Sequence, residues 1–124
     1  MNSITKGVEV IWKDTKRFCG LPITFTQYAL LRKPGKWIKL IRERGLFHTE
    51  IEEIHCYRID DLSVYQSFTD SIFGVGNIEV FCNDASTKSL YIQKVKKPYK
   101  VREIINDIVE EERAKKVRVH AELQ

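Results

Sequence analysis

Cations crowd one short stretch of this chain. Arg32, Lys33, Lys36 and Lys39 surround Pro34-Gly35, and Arg42 and Arg44 continue along the same segment. Ammonium and guanidinium donors converging around a tight turn suit phosphate oxygens, which makes Arg32, Lys33, Lys36 and Lys39 the candidate site for an anion or a lipid head group. The competing role is plain edge protection, since lysines beside an exposed strand keep it from pairing with another chain. Lys94, Lys96, Lys97, Lys100 and Arg102 form a second basic run. Were it to lie beside the hairpin, the two would make one anion-attracting patch. Trp37 and Tyr91 interleave with these charges, and together with Ile41 they are the candidate contact residues on outer faces.

The other reactive residue types do not assemble into a site. Glu52-Glu53 and Asp60-Asp61 are carboxylate doublets, but neighbours on a strand point to opposite faces, so neither doublet is an acid/base pair. His48, His55 and His120 are scattered, with no third ligand at metal spacing. Gly74-Val75-Gly76 lacks the following Gly, Lys or Ser/Thr of a phosphate loop and reads as a glycine pair that supplies a turn. No nucleophile, base and orienting group can be grouped, so no catalytic residue, metal or cofactor is expected. Cys19, Cys56 and Cys82 are odd in number and lack a C-x-x-C spacing; three free thiols in a reducing compartment are expected.

The bounds set by composition agree. A length of 124 residues suits one domain, and 43% hydrophobic with 31% charged residues is ordinary for a globular chain. The net charge of +4, from 21 Lys plus Arg against 17 Asp plus Glu, permits acidic partners without requiring them. No nucleic-acid partner is expected. Lys6, Glu9 and Lys13 interrupt the N-terminal stretch where a signal peptide needs an apolar run, and a cytoplasmic protein with at most peripheral membrane contact is expected.

Hydrophobic periodicity supplies the elements that must hold these residues. Residues 1–16 fit a strand or a helix equally well, through Val8, Val10 and Trp12 or through Ile4, Val8, Ile11 and Trp12. Ile23 to Leu31 reads as a strand running into a type II turn at Pro34-Gly35, and Trp37 to Arg44 returns from it. The apolar register then shifts at Glu52-Glu53, predicting a bulge or bend. Strands follow around Leu62 and Val64, Ile78 to Cys82, and Leu90 to Ile92, with a helical turn over Phe68 to Phe73 and a polar turn at Asn83-Asp84-Ala85-Ser86. Pro98 opens a helix whose Val101, Ile104, Ile105, Ile108 and Val109 recur at helical spacing. The stripe then stops, so residues 114–124 are expected to be a frayed or disordered tail.

The pattern Ile59-x-x-Leu62-x-Val64-x-Gln66-Ser67, then Phe73-Gly74-Val75-Gly76-x-Ile78-x-Val80, Leu90-x-Ile92 and Lys97-Pro98, resembles the bacterial pleckstrin-homology (PH-like) domains. The likeness runs from Arg17 to Arg113, and residues 17–113 are the expected domain. It implies a mainly β fold with one C-terminal α-helix: a partly open barrel of about seven antiparallel strands in two near-orthogonal sheets, capped by the helix. In eukaryotic relatives of the fold, phosphoinositide head groups bind basic residues on the corresponding hairpin.

The functional expectation is a non-catalytic binding module that acts through protein contact and self-association. The alternative is a peripheral adaptor that holds anionic lipid through the basic hairpin. Weak vesicle binding is expected, because exposed cations without an apolar insertion give only marginal attachment.

Overall fold

The computed structural model describes residues 7–83 and 89–122, with side chains described as far as Val117. Its strands are β1 (Glu9–Thr15), β2 (Thr26–Lys33), β3 (Trp37–Arg44), β4 (Glu50–His55), β5 (Ile59–Tyr65), β6 (Val75–Cys82) and β7 (Leu90–Lys96). A 3-10 turn at Cys56–Arg58 links β4 to β5, helix α1 (Phe68–Phe73) links β5 to β6, and helix α2 spans Pro98–Glu122. Two antiparallel sheets result, in the orders β1-β2-β3-β4 and β5-β6-β7, with no ladder closing them into a barrel among the described residues. The fold is therefore mainly β with one long C-terminal helix, as expected.

Period-2 patterning places the core between the sheets. Tyr28 and Leu30 of β2, Ile38 and Leu40 of β3, Ile78 and Val80 of β6 and Ile92 of β7 are buried together, and Val101, Ile105, Ile108 and Val109 of α2 close the same cluster. Tyr28 also ties the sheets polarly, its hydroxyl accepting the Gln93 N–H at 3.0 Å. The β2–β3 hairpin forms as its residues dictate: Lys36 N–H donates to Lys33 C=O at 2.9 Å, and Gly35 takes the positive φ of 74° that a type II turn demands.

Several details depart from the sequence reading. The open segment at residues 1–16 contains strand β1, and a bulge between Val10 and Trp12 lets Ile11 and Trp12 both pack against the core. That explains why strand and helix spacing fitted equally; residues 1–6 lie outside the described part. No bulge occurs at Glu52-Glu53, where β3 and β4 pair regularly from Lys39↔His55 to Arg44↔Glu50. Ile51 breaks the apolar pattern because it stays 45% exposed. The polar turn at 84–86 lies outside the described residues. Helix α2 continues to Glu122, so the expected frayed tail is helical at least that far; Lys115 lies 3.9 Å from Glu111, one turn back.

Of the two glycines, only Gly74 serves a turn, as the left-handed C-cap of α1 at φ 68°. Gly76 sits inside β6, where a Cβ would come within 2.6 Å of the Pro98 ring. It permits the start of α2 to lie directly on the sheet.

Candidate functional site

The basic hairpin does form a cleft, but its charge is largely committed. Arg32, Lys33, Gly35, Lys36, Trp37 and Ile38 line a depression of about 260 Å3 that Glu112 and Lys115 of α2 close from the other side. Arg32 reaches Glu9 at 3.5 Å, and Lys115 reaches Glu112 at 3.7 Å. Lys39 leaves the cleft: its ammonium stands 4.5 Å above the Trp37 ring and 3.4 Å from Glu53. Arg42 and Arg44, further along β3, are matched to Glu52 at 2.5 Å and Glu50 at 2.8 Å. Only Lys33 and Lys36 of the expected set make no ion pair among the described residues. Antiparallel pairing is the reason: it sets Glu9 of β1 opposite Arg32, and Glu52 and Glu50 of β4 opposite Arg42 and Arg44, with Glu53 diagonal to Lys39.

The expected contact residues divide as well. Ile41 is fully buried, which removes it as an outer interface residue. It faces away from the main core as its position predicts, but Ala29, Leu31, Val8 and Trp37 join it in a second apolar cluster. Tyr91 is 43% exposed, and its hydroxyl donates to the Glu79 carboxylate at 2.7 Å. That hydrogen bond, followed by burial, pushes the Tyr91 phenol above its ordinary value.

The second basic run does not join the hairpin. Lys96, Lys97 and Lys100 gather with Lys13 and Arg17 where α2 begins, around a cleft of about 410 Å3 floored by Trp12, Val101 and Ile104. The hairpin cleft meets the far part of α2 at Glu112 and Lys115. At 1.5 Å per residue, the two sites lie roughly 20–25 Å apart along the helix.

A third feature escaped the periodicity because it is built from loops. The β1–β2 connection exposes Phe18, Leu21, Ile23 and Phe25, each between 57% and 63% accessible. The β3–β4 connection exposes Leu46 and, at 91%, Phe47. In an antiparallel sheet these two connections fall at the same end, and Gly45 N–H donates to Phe25 C=O to join them. Helix α1 adds Phe68 at 83% and Ile72 at 66%, four residues apart on one face. A Cβ added at Gly20 would meet the Phe73 ring at 3.6 Å, so α1 lies against the β1–β2 connection.

Local chemistry explains why α1 holds its apolar face outward. Ser67 and Asp70 form a reciprocal capping box, and the Asp70 carboxylate receives the Lys94 ammonium at 2.5 Å and the Asn77 amide at 3.3 Å. Burial alone would raise the Asp70 carboxyl; hydrogen bonds from Lys94 and Ser67 outweigh it and hold the group below the usual carboxylate range. Anchored through this polar side, the short helix turns Phe68 and Ile72 to solvent. The sequence hid the apolar end because Phe47 continues in step with Thr49 and Ile51, as a strand residue would.

Among the described residues no group of His, Cys, Asp and Glu could hold a metal ion, and no helix is long and apolar enough to cross a membrane. Comparison of the chain with models of protein families, with curated proteins and with solved structures finds no match.

Proposed function

We propose that this chain is a non-catalytic binding module of PH-like type that docks peripherally on anionic membrane through its loop end. The single observation that carries the reading is the exposed apolar end itself, with Phe47 of the β3–β4 connection 91% accessible and Phe68, on the helix that meets the β1–β2 connection, 83% accessible. Clustered apolar tips of this kind mark an interaction surface. Burying one such side chain contributes up to about 1.5–3 kcal/mol, which supplies the insertion that the basic hairpin lacks.

Charge favours lipid over a second copy of the chain. Lys16 lines the cleft between the β1–β2 connection and α1, and Lys13, Lys96, Lys97 and Lys100 line the neighbouring one. None of these five lysines makes an ion pair among the described residues. Two copies meeting through this end would oppose like charges, whereas an anionic lipid surface would gain about 1 kcal/mol per nearby cation.

Co-sedimentation with vesicles tests this reading. The intact chain should bind vesicles containing phosphatidylserine, bind those of phosphatidylcholine much more weakly, and release as salt rises. Phe47→Ser with Phe68→Ser should abolish binding without unfolding the protein, because both side chains are already exposed. A dimer that those substitutions dissociate, with no vesicle binding by the parent, would replace the membrane reading with self-association through the same end.

A further inference from the structure

We infer that the cleft between β1 and the start of α2 binds a phosphate monoester. Its ammonium groups, from Lys13, Lys96, Lys97 and Lys100, surround one opening and have no carboxylate partner among the described residues. The one acid in the cleft is already paired with Arg17. Asp14 Oδ1 accepts Thr15 N–H at 2.8 Å and the Arg17 guanidinium at 3.2 Å, while Oδ2 accepts Lys96 N–H at 2.9 Å. It therefore braces the strand ends rather than neutralising the lysines.

The start of α2 borders the same cleft. The first turn of α2 contains no acidic residue, Pro98 has no N–H, and Val101 N–H is taken by Lys97 C=O at 3.1 Å. The remaining first-turn N–H groups, of Tyr99 and Lys100, have no partner within the helix, and the helix dipole favours negative charge there. Lys97 is held at φ 50°, a left-handed conformation that costs energy for a residue with a Cβ. That turn passes the chain from β7 into α2 within one residue and keeps Lys96, Lys97 and Lys100 around one opening.

The ligand class follows from charge and shape. Several ammonium groups around one cleft beside a helix N-terminus match the oxygens of a dianionic phosphate better than a single carboxylate. The floor of Trp12, Val101 and Ile104 gives an attached carbon skeleton an apolar surface, and about 410 Å3 lies within the size of small-molecule sites. A free organic phosphate or a lipid head group bearing a phosphate monoester would satisfy the same donors. The inference goes beyond the membrane reading and stands without it.

Titration calorimetry with glycerol 3-phosphate, and flotation with vesicles of phosphatidic acid or phosphatidylserine matched in surface charge, test the site on the full chain. Saturable binding of glycerol 3-phosphate would assign a soluble ligand. Preference for phosphatidic acid vesicles, at least tenfold, without binding of the soluble probe would assign a lipid-borne one. In either case Lys97→Ala with Lys100→Ala should lower affinity at least tenfold at unchanged melting temperature, and Lys33→Ala with Lys36→Ala should change it less than twofold. Absence of both preferences, or preferences that survive the Lys97 and Lys100 substitutions, would overturn the proposal. The Phe47 and Phe68 double variant separates the two ideas: it should lose general vesicle adhesion and keep glycerol 3-phosphate binding where that occurs.

Discussion

Replacing Ile105 by Ala probes whether α2 is a structural plug. Ile105 is fully buried, while its neighbour Ile104 is only partly buried against the same core. Removing a buried Ile side chain down to Cβ forfeits its transfer energy and leaves a cavity, at a usual cost of 2–5 kcal/mol. Full burial in the main core places Ile105→Ala at about 3–4 kcal/mol. Ile104→Ala, with part of its surface already in water, should cost about 1–2 kcal/mol. For a domain of this size each kcal/mol shifts the melting temperature by about 4 °C, so the two variants should melt about 14 °C and 6 °C below the parent. Urea unfolding followed by Trp fluorescence, with far-ultraviolet circular dichroism as the second probe, reads both values. Equal losses, or a loss below about 0.5 kcal/mol at Ile105, would refute the packing of α2 against the core.

The Asp70 carboxyl lies below its ordinary range in the folded protein, so its contribution is present above the unfolded value near 4 and is lost as pH falls through the folded value. Asp70→Asn should therefore cost about 1–2 kcal/mol at pH 7 and progressively less below about pH 4, measured by urea unfolding at both ends; an equal cost at pH 7 and pH 3 would contradict the Lys94 contact. Thiol reactivity should separate the cysteines: burial, with a smaller contribution from Glu112, pushes the Cys56 thiol up to about 12, whereas Cys19 is exposed. At pH 8 a thiol reagent should label Cys19 rapidly and Cys56 only on unfolding, with three thiols in denaturant; labelling of native Cys56 at the rate of Cys19 would show that its burial is wrong.

The elements with their own local signal were legible in the chain. Pro34-Gly35 specified the hairpin through backbone dihedrals that Pro and Gly supply, and the Val101, Ile105, Ile108 and Val109 stripe specified the buried face of α2. Alternation gave β6 and β7 in the same way. The misreadings share a cause. Ile51 and Ile41 are apolar residues outside the main core, one left exposed and one covered by a second cluster, and periodicity cannot tell which fate an outward apolar residue meets. The bulge in β1 scrambled a period that a regular strand would have kept.

Sequence alone determined most of the strand and helix content, the apolar face of α2 and the total charge, because each depends on residue type and near-neighbour spacing. Tertiary structure decided which charges remain free. The glutamates of β4 meet cations of β3 across a ladder, Asp70 meets Lys94 from 24 residues away, and Asp14 receives the backbone of Lys96 from 82 residues away. It also decided which apolar residues share a surface. Phe25, Phe47 and Phe68 belong to three separate connections, and antiparallel topology with α1 docked on the β1–β2 connection gathers them at one end. Pairwise electrostatics and exposed patches are properties of distances in space, and no spacing along the chain encodes them.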